Sequence, residues 1–467
     1  MKKSLINKVL LGPVVLLSMQ SCFVAKDYTQ PTEEVVQEEF YRTDKLPQDS
    51  LSMAEISWRE MFTDRFLTQY IETALENNID IRVALQQIEA SQAYLRQAKS
   101  AYLPSLTGNV SAAHFELPAN SGTNYPVSSV QQYEISADLS WEADIWGKIR
   151  SSEKAQQARY LQSVAAHKAV KTELIANVAS LYYQLLALDE QQQITLRTIH
   201  NRQSSLETIK ALKQAGNVTE VGVKQTEAQL YRAQAVMIDL KNDIRLLENA
   251  FSILLGEAPH AINRTELQTQ NITAPMKTGV PLQLLRNRPD VLAAEYNLIN
   301  AFQLTNVAKS KFYPSLRVNA SAGFQSIELN NLLDPDAFLA SIIGSLDQPI
   351  FNRRQIKTEY EVSKAEQEIA FLQFRKAVLT ASREVSDALY NYEAAVEKMQ
   401  VKNNEFEAYD LATSYSEELL NNGFANYLEV LTARENALNA QLELVWIRYN
   451  ELNAMVDLYE ALGGGWQ

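Results

Sequence analysis

The residues that could carry chemistry are few and scattered. The four histidines, His114, His167, His200 and His260, show no metal-ligand spacing. No glycine-rich phosphate loop and no G-x-S-x-G elbow occurs. The eight methionines are dispersed, so no soft-metal cluster forms. An enzyme needs a convergent constellation, and the sequence offers none; no cofactor is expected. Three features remain. Cys22 is the single cysteine, so no disulfide can form within the chain. Glu134, Asp138 and Glu142 fall on alternate residues of a period-2 segment, the pattern of one charged strand face. Glu429 follows Asn426 by three residues, just past Gly423, at a helix start. The net charge of −13, without a Lys/Arg stripe, excludes a nucleic-acid footprint.

Cys22 has a context. Lys2, Lys3 and Lys8 precede a short apolar run from Val9 to Leu17, interrupted by Gly12 and Pro13. This is too short to span a bilayer and reads as an export signal. Leu16-Leu17-Ser18-Met19-Gln20-Ser21-Cys22 resembles the lipobox of bacterial lipoproteins, departing from it at Met19 and Gln20. The resemblance implies an acylated Cys22 as the mature N-terminus, held on a membrane surface. Phe23, where an Asp would retain such a protein at the inner membrane, favours the outer membrane. The alternative is a free cysteine in a leader cut elsewhere. After the leader no run of 18 apolar residues occurs, so any membrane span must use β-strands.

The elements that must position these residues are repeated. Ala101-Tyr102-Leu103-Pro104-Ser105-Leu106 returns as Lys311-Phe312-Tyr313-Pro314-Ser315-Leu316. Asp144-Ile145-Trp146-Gly147-Lys148 has a weaker echo in Pro349-Ile350-Phe351-Asn352-Arg353, and Gly216-Asn217-Val218-Thr219 returns as Gly423-Phe424-Ala425-Asn426. The offsets are about 205 to 210 residues and in order, so the chain is a tandem duplication. Each copy reads as a helix (64–102, or the shorter 288–313), a proline that ends it, two strands, a helix of roughly 65 residues ending at a glycine, and a returning helix of roughly 35. Thr219 and Asn426 are the expected N-caps. Strands are expected at 133–142 and 316–325, where apolar and polar residues alternate over about ten positions, and near 106–114 and 338–346, where the alternation is weaker. One apolar face and one charged face is the pattern of an outer-membrane barrel strand. The bland alternative is an amphipathic hairpin on a soluble core. Inside a barrel, Glu134, Asp138 and Glu142 either tune ion selectivity or are the polarity that any water-filled lumen requires. A helix of roughly 65 residues is about 100 Å long and needs neighbours along its length.

Four strands per chain cannot close a barrel, since the smallest outer-membrane barrels have eight and open edges are excluded in lipid. Several copies must share one barrel. Strand count alone leaves two, three or more open.

Arg288-Pro289-Asp290-Val291-Leu292-Ala293-Ala294-Glu295 resembles the R-P-D-[VI]-x-x-A-E motif of outer-membrane efflux proteins. Tyr102-Leu103-Pro104-Ser105-Leu106, Phe312-Tyr313-Pro314-Ser315-Leu316, Asp144-Ile145-Trp146-Gly147 and the Tyr28-Thr29-Gln30-Pro31 stretch are similar to its other landmarks, in the same order. The chain therefore resembles the TolC superfamily, in its lipoprotein branch of OprM-, CusC- and NodT-like factors. That resemblance implies a mainly α protein with a β-barrel part. It implies a homotrimer with a twelve-stranded barrel in outer-membrane lipid, and helices crossing the periplasm of a Gram-negative cell. It implies a passive duct for small molecules (drugs, toxic compounds or metal ions). An inner-membrane RND transporter and a periplasmic adaptor would feed it. Domains are expected at 1–21 (signal), 22–63 (extended segment and collar), 64–257 (first repeat), 258–287 (equatorial segment), 288–461 (second repeat) and 462–467 (tail). The hairpin tips, with Gly216, Thr219, Gly423 and Asn426, would meet the adaptor. In the family the second tip reads roughly L-x-x-L-D-A with a pore-facing aspartate. Here Thr432 holds that position, and the acid lies one turn earlier at Glu429, beside Leu428. The matching position of the first copy is Gly222. Glu429 is then either a gate charge or a helix cap. Two other readings stand beside the efflux duct: a duct for type I protein secretion on the same fold, and a periplasmic coiled-coil scaffold without a pore.

Overall fold

The computed structural model describes residues 24–31, 42, 52–116, 129–272 and 284–466. Cys22 and most of the segment 22–51 lie outside the described residues, as does the bulk of the loop between the first two strands. The labelled elements are α1 (Arg65–Asn77), α2 (Ile79–Ser100), β1 (Ser105–Glu116), β2 (Ser129–Ala143), α3 (Lys148–Gln214) and α4 (Glu220–Leu254). Then come α5 (Pro289–Ser310), β3 (Ser315–Ser326), β4 (Phe338–Asp347), α6 (Gln355–Asn421) and α7 (Tyr427–Ala461). Both long helices have 67 residues and both returning helices 35. Among the described residues no helix is long and apolar enough to cross a membrane.

The element order is the expected one, with two refinements. The helix expected over 64–102 is broken at Asn78, and the one expected over 288–313 is preceded by a single turn, Leu284–Asn287. The two breaks are the same joint. The Asn78 side chain donates to the Leu254 carbonyl at 3.0 Å, and Arg288 donates to the Ala461 carbonyl at 2.9 Å. Leu254 and Ala461 each end a returning helix, and each joint satisfies one of the carbonyls that a helix end leaves free. The repeat offset is thus 210 residues at the joint (78 to 288) and 207 at the helix end (254 to 461).

The chain divides into two compact units. The first holds 88–163 and 294–374 with the described N-terminal residues up to 30. It contains one antiparallel sheet in the order β1-β2-β3-β4, so β1 and β4 are edges. Ser105 faces Ser140, Ser140 faces Asn319, and Ser315 faces Asp347. This register puts Leu106, Val110, Leu139, Val318, Ile342 and Leu346 on one face. The other face is largely polar, although Ile343 and Phe115 of the edge strands lie on it: Ser140 donates to Asn319 at 2.8 Å, Arg317 pairs with Glu142 at 3.4 Å, and Asn109 donates to Asp138. Period-2 alternation gives this result directly, since successive side chains point to opposite faces. Residues 24–30 are strapped onto this unit. Asn306 bonds the backbone of Lys26 in both directions (3.3 and 2.9 Å), and Val24 is buried.

The second unit holds the described parts of 31–87, with 164–293 and 375–467. It is all helix and loop. Its core includes Leu67, Ile71, Tyr182, Phe251 and Phe62, with Tyr70 edge-on to Phe251 at 5.2 Å. Polar pins fix the connecting segment 258–272. Asp64 accepts from the Thr265 hydroxyl, caps α1 through Phe66 N–H (2.8 Å) and Leu67 N–H, and also accepts from Gln270 and Tyr182. These donors hold its carboxyl below the usual range against the opposing effect of burial. Arg264 bridges Asp189 and Glu248, each at 2.8 Å. Arg288, almost fully buried, forks onto Asp290 and reaches Glu384 at 2.7 Å. The R-P-D motif is therefore a structural clamp on the start of α5.

Candidate functional site: the paired hairpin tips

Both long helices end in the same way. Asn217 N–H bonds Leu212 O, and Gly216 N–H bonds Lys213 O; Phe424 N–H bonds Leu419 O, and Gly423 N–H bonds Leu420 O. These are Schellman motifs, and Gly216 and Gly423 hold φ of 82° and 75°, left-handed values that glycine adopts without strain. Both glycines are thus C-caps, as their positions imply.

The returning helices begin differently. Asn426 accepts from Glu429 N–H at 3.2 Å, and its own amide donates to Glu429 Oε1 at 3.1 Å. Thr219 occupies the equivalent N-cap position, but its side chain makes no capping bond. Gly222, the counterpart of Glu429, is half-buried. Thr432 is exposed and bonds back to the Leu428 carbonyl at 2.9 Å. Leu428 is exposed, whereas Leu431 is buried with Tyr427, Leu206, Ile209, Val223 and Leu230. The four helices of the tips therefore share one apolar core, and Leu431 is committed to it.

Ionic contacts that the sequence did not reveal join the two copies. Arg202 of α3 reaches Glu435 of α7 at 2.6 Å and the Gln229 carbonyl at 2.6 Å. Arg232 of α4 meets the same carboxylate at 3.1 Å. Arg434 binds Glu417 at 2.6 Å and Ser205 Oγ at 2.6 Å. Thr226 Oγ1 donates to the Tyr427 hydroxyl at 3.2 Å. The partners are up to 233 residues apart, so no local pattern signals them.

The exposed charges differ between tips. Lys213 holds Glu220 below the usual carboxylate range through a hydrogen bond, and Lys224 does the same to Glu227. Glu429 meets no cation among the described contacts; its partner is Asn426. Among the described residues, no three of His, Cys, Asp and Glu group closely enough to hold a metal ion.

The model of the outer membrane efflux protein family matches residues 70–257 and again 280–464. The chain belongs to the outer membrane efflux protein family. The two matched segments follow the two copies of the repeat. The toluene efflux pump outer membrane protein TtgF of Pseudomonas putida is 29% identical over 462 residues, covering 96% of this chain and 95% of that protein. The cation efflux system protein CusC of Escherichia coli is 25% identical over 459 residues, covering 97% and 98%. Among solved structures, the outer-membrane channel OprN superposes with a TM-score of 0.87 at 24% identity, over 95% of this chain and 99% of that one. The expected TolC-like α/β architecture is therefore observed.

Proposed function

We propose that this efflux protein is one of three identical subunits of a lipid-anchored outer-membrane duct. In this reading Cys22 carries the acyl anchor. The apolar face of the β1–β4 sheet meets lipid, and the polar face with Glu142, Arg317 and Asp138 lines a water-filled lumen. The duct is passive and does no chemistry. An inner-membrane RND transporter loads it with small toxic molecules through a periplasmic adaptor. Relatives are named for efflux of toluene and of cations, which supports a broad cargo range in which the pump selects. The adaptor grips the tips around Gly216, Thr219, Gly423 and Asn426, and the narrow end is controlled by Leu428, Glu429, Thr432 and Gly222.

The observation that carries this reading is the sheet itself. It has four strands, two unpaired edges, and opposite faces of opposite polarity. Such a sheet has no stable solution in a membrane as a single copy. The test is native mass spectrometry in detergent, followed by planar-bilayer recording of the same sample. A trimer with discrete conductance is expected. A stable monomer, or a trimer without conductance, overturns it.

A further inference from the structure

The duplication makes the inside of the protomer a template for its outside. Repeat one meets repeat two within the chain at the β2–β3 seam. In a closed ring, repeat two must meet repeat one of the next copy at a β4–β1 seam. Both seams join equivalent strands, so the resolved one predicts the other. This inference rests on the shared-barrel reading above and adds the register.

Two offsets carry the translation. Ser105 and Ser315 open equivalent strands 210 residues apart, and their ladder partners Ser140 and Asp347 are 207 apart. Independent marks agree with both values. The helix joints at Asn78 and Arg288 are 210 apart, and the carbonyls they bond, Leu254 and Ala461, are 207 apart. The left-handed residues at the foot of the sheet, Gly147 (φ 74°) and Arg354 (φ 69°), are also 207 apart. The structure thus shifts by two the weaker sequence echo of Asp144–Lys148, which had set Gly147 against Asn352.

Applied to the internal seam, these offsets give the external one. Leu139 opposite Ala320 becomes Leu346 opposite Val110 of the neighbouring copy. Asp138 opposite Ser321 becomes Ser345 opposite Ser111. Ser140 opposite Asn319 becomes Asp347 opposite Asn109, so a polar pair is replaced by a polar pair. We propose that copies of this chain join through an antiparallel β4–β1 ladder in this register, from Asp347 opposite Asn109 to Ala340 opposite Glu116.

Three observations on the edge strands fit it. Side-chain parity is preserved, because Leu346 and Val110 both lie on the apolar face and Ser345 and Ser111 both on the polar face. A slip of one residue would oppose the two faces. The apolar edge residues are bare in the single chain: Val110 is 80% exposed and Ile342 81%. The foot of the seam repeats a donor. Trp146 Nε1–H donates to the Pro314 carbonyl at 2.7 Å, and the equivalent positions are Arg353 and Pro104. Arg353 stands exposed and supplies a guanidinium donor at the repeat position of the indole, with a φ of 53° that Trp146 does not share.

Parity excludes odd slips, so the test must separate this register from slips of two. Paired cysteines in the full-length protein in outer membranes, oxidised with copper-phenanthroline, do this. The in-register pairs are Ser345→Cys with Ser111→Cys, and Leu346→Cys with Val110→Cys. One pair is the close, non-hydrogen-bonded kind, whichever way the ladder alternates. The slipped pairs are Ser345→Cys with Asn109→Cys or with Ala113→Cys. Reducible dimers and trimers on denaturing gels are expected from at least one in-register pair, and monomers from both slipped pairs and every single variant. Cross-linking of a slipped pair overturns the register and leaves the shared barrel standing. Cross-linking of none also overturns it. Native mass spectrometry of that sample then separates the two failures: an intact oligomer condemns the register alone, a monomer condemns the shared barrel too.

Discussion

The two hairpin tips share a backbone and differ in their chemistry. Gly216 and Gly423 close their helices with the same pair of hydrogen bonds. The side chains around them have diverged. The second tip carries a working cap in Asn426, an uncompensated Glu429, and the carboxylate of Glu435 that two arginines of the first copy grasp. The first tip has no side-chain cap, a glycine in place of the acid, and carboxylates already paired with lysines. Moving 207 residues from Arg202 leads to Tyr409, and 207 back from Glu435 to Ala228, so this ionic lock has no second version in the chain. Duplication fixed the hairpin geometry, because few residues besides glycine hold a left-handed φ. It left the locking and charged groups free to become asymmetric. The two tips of one chain are therefore bolted together by a pair that the repeat does not supply a second time.

The largest effect is expected at the bolt. The side chains of Arg202 and Glu435 are only 10% and 19% exposed. Replacing Glu435 with Ala leaves Arg202 without its carboxylate inside a packed site. The cost is about 3 kcal/mol, toward the low end for a broken buried pair because Glu435 keeps some exposure. Hydrogen exchange of the 199–212 backbone should rise accordingly, and Ala228→Glu, the equivalent change in the first copy, should not slow it. Unchanged exchange in Glu435→Ala would mean that the apolar core around Leu206 and Tyr427 holds the tips alone.

The glycines test the shared backbone. An added Cβ at Gly216 or Gly423 meets nothing within 4 Å, so the only cost is the left-handed conformation. Gly216→Ala and Gly423→Ala should each destabilise the local turn by about 1–2 kcal/mol, and by similar amounts. The caps test the divergence. Asn426→Ala should cost about 1 kcal/mol. Thr219→Ala should fall within about 0.5 kcal/mol of no change, since its side chain makes no capping bond. Protease nicking at each tip, compared across the four variants, reads both predictions. Equal losses for Asn426→Ala and Thr219→Ala would erase the contrast between the tips.

Much of this was legible in the sequence because it is written locally. Strand alternation at 133–142 and 316–325 determines which face is polar. The Gly-x-x-Thr and Gly-x-x-Asn spacings locate both turns, and the repeated Pro-Ser-Leu fixes where each strand begins. The break at Asn78 and the turn 284–287 ahead of Arg288 were missed. Asn78 carries a local signal, since its side chain caps α2 through Asp80 N–H at 2.8 Å, but the carbonyl it bonds at the joint is 176 residues away. The Arg202–Glu435–Arg232 cluster was missed for the same reason. Thr219 reads as an N-cap on residue type, as Asn426 does. Residue type licenses that reading, but only the rotamer and loop geometry decide whether the bond forms.

Glu429 carries the smallest expected effect on stability and, in the proposed duct, the one nearest to conduction. Its carboxylate has two separable properties, an oxygen that accepts from Asn426 and a negative charge that meets no cation among the described contacts. Ala removes the charge together with the acceptor of the Asn426 amide, while the Glu429 N–H still donates to Asn426; Gln keeps an oxygen acceptor and removes only the charge. In an assembly that gathers copies of the second tip around an axis, the uncompensated carboxylates favour cations in the neck, and salt weakens the effect. Glu429→Gln should therefore shift the reversal potential in a salt gradient toward anions, most strongly at low ionic strength, while exchange at the start of α7 stays near wild type. Glu429→Ala should shift the potential equally and also loosen that first turn. The matching substitution Gly222→Asp should move the potential the other way, because it adds a charge where the first copy has none. Reversal potentials that are indifferent to Glu429→Gln, with exchange that responds to Glu429→Ala, would leave Glu429 as a helix cap and move the charge control elsewhere in the duct.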